Sequence, residues 1–163
     1  MKPTLREKML AKSAHKLFLR NLVVNHVFLF SALATLGSDR VYWLVVVPIF
    51  SALAIIYTFY RASQIDRDDS EFAFIHWQIT LRWARLLALM LALLIGVSVV
   101  SWYGYHNLGL ARELSYALVG GVGVLPLLVS VLILIGIESA SLRHAREGTL
   151  PDWAQRRFLG ESR

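Results

Sequence analysis

Three long stretches of the chain carry no charged residue: residues 41–60, 86–105 and 116–137. A run of about 18 or more apolar residues is enough for a helix to cross a hydrocarbon core roughly 30 Å thick. A fourth stretch, residues 17–36, ends in the apolar run VFLFSALATL, but its first half holds Arg20, Asn21, Asn25 and His26. The pattern predicts an all-α fold, a polytopic bundle of four transmembrane helices forming a single integral membrane domain over residues 1–163. The expected spans are 17–36, 41–60, 84–105 and 116–137.

The flanks are amphipathic and basic. Thr4 and Glu7 have the spacing of a capping box, in which a hydroxyl and a carboxylate satisfy free helix-end amides. Leu5, Met9, Leu10 and Leu17 then recur among lysines. This predicts a helix over 4–16 lying on the inner leaflet. A loop over 61–83 and a tail over 138–163 complete the same side. In the tail, Gly148 is placed to stop the fourth helix, and Pro151 to start a short one carrying Trp153, Phe158 and Leu159.

Residues 66–90 read DRDDSEFAFIHWQITLRWARLLALM. The acidic residues and Ser70 suit a helix start, where the dipole favours negative charge. A helix from Glu71 to Tyr105 would be about 54 Å long at 1.5 Å per residue, too long for the bilayer alone. Trp77 and Trp83 suit the headgroup zone, and Arg82 and Arg85 can snorkel there. With Trp153 these are the expected interface anchors, and a pairing of Asp69 or Glu71 with Arg82 is an expected tether.

Pro48 and Pro126 predict kinks in the second and fourth spans. Gly120, Gly121 and Gly123 follow no strand and sit in an apolar helix, so they read as flexibility or close helix approach and not as a nucleotide loop. Ala84, Ala88, Ala92 and Gly96 fall at four-residue intervals on the third span. Small residues on one ridge let another helix backbone come close, and they are the expected helix-packing site.

Composition supports this reading. The chain is 56% apolar and has no cysteine, which excludes disulfide scaffolds and thiolate chemistry. Its net charge of +6 comes from Lys and Arg residues that flank the spans, not from a nucleic-acid-binding face. Fifteen of the 17 lie in the N-terminal segment up to Arg20, in the loop between spans two and three with its helix mouth up to Arg85, or in the tail. Only Arg40, in the Gly37–Arg40 turn, and Arg112 lie on the other side. Positive residues favour the cytoplasmic side, so both termini are expected in the cytoplasm, and a bacterial inner membrane is the expected location. The first span resembles a signal peptide, but its long basic start and polar interruptions favour a retained span.

Candidate chemistry is sparse. His15, His26, His76, His106 and His144 are scattered, and only His26 falls clearly within a span. Asn25 and His26 form the candidate intramembrane polar site, since polar groups at that depth face protein or water. Glu138 is the one carboxylate near a span. No metalloprotease, nucleophile-elbow or paired-aspartate pattern occurs, so no catalytic, cofactor-binding or metal residues are expected. The first expectation is a non-enzymatic accessory, assembly or structural subunit of a larger membrane complex, or a homo-oligomer. Its partners would be the lipid bilayer and other membrane subunits, not nucleic acid. The alternatives are a small transporter or channel using the kinked helices, and a b-type haem electron carrier.

Trp77-Gln78-Ile79, opening a membrane helix after a Tyr-rich span and a short polar loop, resembles a group of small bacterial integral membrane proteins. These belong to the domain-of-unknown-function type, distantly grouped with chloroplast import-channel proteins. Residues 143–151, RHAREGTLP, resemble their Arg-rich helix end followed by Gly and Pro. The resemblance covers about residues 41–152 and implies fold and membrane location only. The group's usual histidine would fall at Phe74, and span one is additional.

Overall fold

The computed structural model describes residues 3–35 and 38–159, the side chains of 38–41 excepted. The described residues form five helices and no strand. Helix α1 runs Leu5–Ala34, with a π-helical stretch at Asn21–Leu29. A 3-10 stretch, Ser38–Val45, leads into α2, Val46–Ser63. Helix α3 is Glu71–Asn107. Helix α4 runs Arg112–Glu147 and has its own π-helical stretch, Val119–Val124. The short α5 is Asp152–Phe158.

Helices α1, α3 and α4, and α2 with its leading turn, are each long and apolar enough to cross a membrane. At 1.5 Å per residue α3, with 37 residues, is about 55 Å long. The bilayer core accounts for only about 30 Å of that. The excess of α1, α3 and α4 gathers at one end of the bundle, called here the basic end. There Lys8 Nζ donates to the Glu147 carbonyl at 3.2 Å and the Ser70 hydroxyl meets Glu7 Oε1 at 3.0 Å. Thr4 and Glu7 form the expected capping box, and Ser70 caps α3 through the Ala73 amide. Gly148 closes α4 in the left-handed conformation, φ 81°. A side chain there would also strike Lys8, whose Cε lies 2.5 Å from the Cβ position.

Several expectations are corrected. Residues 4–16 are not a separate surface helix. They continue unbroken into the first span and bury Ala11, Ala14, His15 and Phe18 against α3 and α4. The leucine stripe is not the buried one: Leu5 is 74% and Met9 55% exposed. The small face formed by Ala11 and Ala14 wins because it lets backbones approach. Residues 61–83 are not mainly loop either; α3 begins at Glu71 and already buries Ala73, Ile75, His76, Trp77, Ile79, Thr80 and Leu81. In the expected turn, Gly37 lies outside the described residues, and Ser38 already begins the 3-10 stretch.

The prolines sit where the α-helical ladder is already altered. Pro48 falls in the first α-helical turn after the 3-10 stretch. Pro126 follows directly on the π stretch that holds the glycines. Such local adjustments re-satisfy backbone groups that a proline leaves free. Gly123 also permits close contact: a Cβ there would lie 2.8 Å from Leu94 Cδ1 and 3.4 Å from Leu94 Cα on α3. Gly120 and Gly121 meet nothing within 4 Å.

The core lies between α1, α3 and α4, with Phe18, Leu22, Leu87, Leu91, Val131 and Leu134 at its centre. Many large apolar side chains face outward, among them Phe28, Ile56, Leu89, Val100 and Leu132. In lipid such exposure carries no hydration cost. Close packing and interhelical hydrogen bonds therefore hold the bundle.

Two glycine substitutions separate packing from flexibility. Gly123→Val should cost about 1–3 kcal/mol by overpacking against Leu94, read as a lower thermal midpoint in detergent. Gly121→Ala should cost nothing measurable. Equal midpoints for the two variants would contradict the close approach.

Candidate functional site

Two polar layers are buried in the bundle. The first is at the basic end and joins three helices. His15 of α1, His76 and Thr80 of α3, and Glu138 of α4 are each 0% exposed. His15 Nδ1 lies 2.6 Å from Glu138 Oε2 and 3.1 Å from Thr80 Oγ1. On the other edge of its ring, His15 Nε2 lies 2.8 Å from His76 Nδ1. His76 Nε2 in turn donates to the Thr149 carbonyl, 3.2 Å away in the turn between α4 and α5. The ring planes of His15 and His76 are nearly perpendicular, at 87°, and Phe72 packs edge-on against His76. Glu138 Oε1 is buried and has no partner among the described residues.

The second layer joins α1 to α2. It sits on the π-helical stretch of α1, a geometry often found at functional positions. Asn21 Nδ2 donates to Ser51 Oγ at 3.2 Å, and His26 Nε2 meets the same hydroxyl at 2.8 Å. Asn25 Nδ2 donates to the Val47 carbonyl at 2.9 Å. Asn25 Oδ1 has no partner among the described residues. Asn25 and His26 are thus brought together at a buried site, with Asn21 and Ser51 as additional members. Phe18, Leu22 and Leu87 lie in the apolar core between the two layers.

Other expected site residues separate. Trp77 is corrected from interface anchor to core: it is 1% exposed and packs with Ala14, Ala62 and Leu81. Trp83 is half-buried. Arg82 is exposed, but its guanidinium lies over the rings of Trp83 and Trp153, 5.3 and 5.1 Å from their centroids. Among the described residues it tethers no acidic side chain; Glu71 pairs instead with Arg67. Arg85 is exposed. Trp153 and Ala154 of α5 pack onto Ile75 and Ile79 of α3, so α5 docks on the protein. The packing ridge divides: Ala84 is in the core and Ala88 is half-buried, while Ala92 and Gly96 are exposed. The exposed pair lines a groove of about 430 Å³ with Leu93, Val97, Val100 and Leu118.

Sequence reasoning missed the first layer. The signal was there in the helical stripes. Ala11, Ala14, His15, Phe18 and Leu22 share one face of α1. Ala73, His76, Thr80, Ala84 and Leu87 share one face of α3. Leu134, Glu138, Ser141 and Ala145 do so on α4. Each polar residue occupies a position that is otherwise core.

Chemically, the layer is a hydrogen-bonded chain. A hydrolytic relay holds a carboxylate on one imidazole nitrogen and a nucleophile on the other. Here the second nitrogen of His15 faces His76, and among the described residues the one side-chain hydroxyl bonded to the ring, Thr80, shares the carboxylate's side. Among the described residues no three His, Asp or Glu side chains are arranged to hold a metal ion. No protein-family model matches the chain, and neither a curated protein nor a solved structure does.

Ser51→Ala should cost about 1–2 kcal/mol, because it removes the partner of both Asn21 and His26. Thr58→Ala removes only a bond from the hydroxyl to Ala54 in its own helix, and should cost less. Thermal unfolding in detergent checks the order, and a reversed order would contradict the interhelical role of Ser51.

Proposed function

We propose that the chain is a non-enzymatic, multi-pass protein of a bacterial inner membrane, an accessory or assembly subunit that seats a transmembrane helix of another subunit against α3. The reading rests on one observation. The Ala92–Gly96 half of the small-residue ridge is left open, and a Cβ at Gly96 would meet nothing within 4 Å. Ala84 on the same ridge is covered by helices of this chain. Small residues at a ridge lower the cost of helix approach in lipid, where no hydrophobic force brings helices together.

The orientation follows from charge. The start of α1, the α2–α3 loop, the first part of α3, the end of α4 and α5 share one end of the bundle, and most Lys and Arg residues of the chain belong to these segments. The positive-inside rule then puts that end, with both termini, in the cytoplasm. Transport is the weaker reading, because apolar side chains separate the two polar layers. Haem ligation is weaker too, because the facing nitrogens of His15 and His76 bond each other.

Filling the groove with Ala92→Leu and Gly96→Leu together should release a co-purifying subunit, read by native mass spectrometry after gentle extraction, with helical content unchanged. A parent protein that is already a monodisperse monomer without a partner would refute the subunit reading. A mass of two identical chains would reassign the groove to self-association.

A further inference from the structure

We infer that Glu138, His15 and His76 form a proton-binding site, in which a buried carboxylate exchanges a proton with the basic-end surface through two imidazoles in series. The Thr149 carbonyl can only accept, so His76 Nε2 carries a hydrogen. When His76 is neutral its Nδ1 is then an acceptor, and His15 Nε2 must donate to it across 2.8 Å. One proton remains for the 2.6 Å link between His15 Nδ1 and Glu138 Oε2. It sits either on the carboxyl or on the imidazole, as an ion pair.

The same three protons support a third arrangement. The Oε2–H bond of Glu138 breaks as Nδ1–H forms on His15, and His15 Nε2–H breaks as Nδ1–H forms on His76. The result is a carboxylate at one end and an imidazolium at the other. No hydrogen is gained or lost, and every link keeps one donor and one acceptor. With one proton fewer, two lone pairs face each other at one link. With one more, either two N–H or O–H groups meet at a link, or the extra hydrogen sits on Glu138 Oε1 and the chain carries a buried positive charge. The geometry therefore selects a chain of three protons with no net charge, the only state that escapes the cost of an unpaired buried ion.

His76 is buried, but the residues that cover it at the outer end reach the surface. Thr149 and Phe72 line an open depression of about 1200 Å³ at the basic end. Glu7, Asp66, Asp68, Asp69 and Glu71 line it too, opposed by Arg6 and Arg67. That acidic mouth raises the local proton concentration. The other titratable group at the chain is His144 of α4, whose Nδ1 meets Thr149 Oγ1 at 2.9 Å. On α1, Lys8 is engaged by the Glu147 carbonyl. On α3, Arg82 turns away onto Trp153. Glu138 pairs with His15 alone among the described residues. Its buried Oε1, without a partner among the described residues, is the inner end of the path.

The test is nitrogen NMR of histidine-labelled protein in lipid bilayers, which reads where each imidazole hydrogen sits. A through-hydrogen-bond coupling should join His15 Nε2 to His76 Nδ1. Glu138→Gln keeps the shape and removes the carboxylate, and the ring signals of His76 as well as His15 should then change, although the substituted side chain would touch His15 only. A change confined to His15, or no coupling between the two rings, would overturn the proposal. If Glu138→Gln does not fold, the wild-type coupling decides: its presence supports the site and its absence overturns it.

Discussion

A carboxylate at 0% exposure has no solvent to turn to, and the arrangement of the basic end depends on that fact. Glu138 is tolerable because His15 lies 2.6 Å away, and His15 in turn is held by His76 and Thr80. Satisfying one group therefore fixes the rotation and height of α1, α3 and α4 together. A slip of one residue on any of the three helices would carry its member of the chain about 100° around the helix and out of reach. The apolar stripes beside it tolerate many rotations, since leucine facing lipid and leucine facing leucine differ little. Specificity in this bundle comes from its few polar side chains.

The second polar layer does the same for α2, which would otherwise be held by little more than contact. Asn21, Asn25 and His26 reach it through Ser51 and the Val47 carbonyl. The π-helical turns of α1 and α4 bring the third ingredient, close approach. In α4 the altered ladder, Gly123 and Pro126 coincide, and Leu94 of α3 fills the space that Gly123 leaves. Ala84 uses the same device inside the bundle. Ala92 and Gly96 carry it to the outer surface, where they line an open groove.

Much of the architecture was legible. Charge-free runs of twenty residues locate the spans, and Thr4, Ser70, Gly148 and Pro151 mark helix ends that the structure keeps. What escaped was anything that depended on which face of a helix turns inward. Trp77 has the chemistry of an interface residue, but helix phase makes it core. Residues 4–16 have the composition of a surface helix, yet Ala11 and Ala14 make room for α3 and α4. The His15–Glu138 pair spans 123 positions in sequence, and no local pattern announces it. Only the intrusion of a polar residue into a small, apolar stripe on each of three helices hints that the three meet.

The most direct check on this account is a double-mutant cycle on His15 and Glu138, with His15→Asn and Glu138→Gln made singly and together and unfolding free energies compared. Direct contact in a buried network predicts a coupling of about 1–3 kcal/mol, so that the second substitution costs much less once the first is made. Additive losses would mean that the two side chains do not meet, and that something other than this polar chain holds the three helices in register.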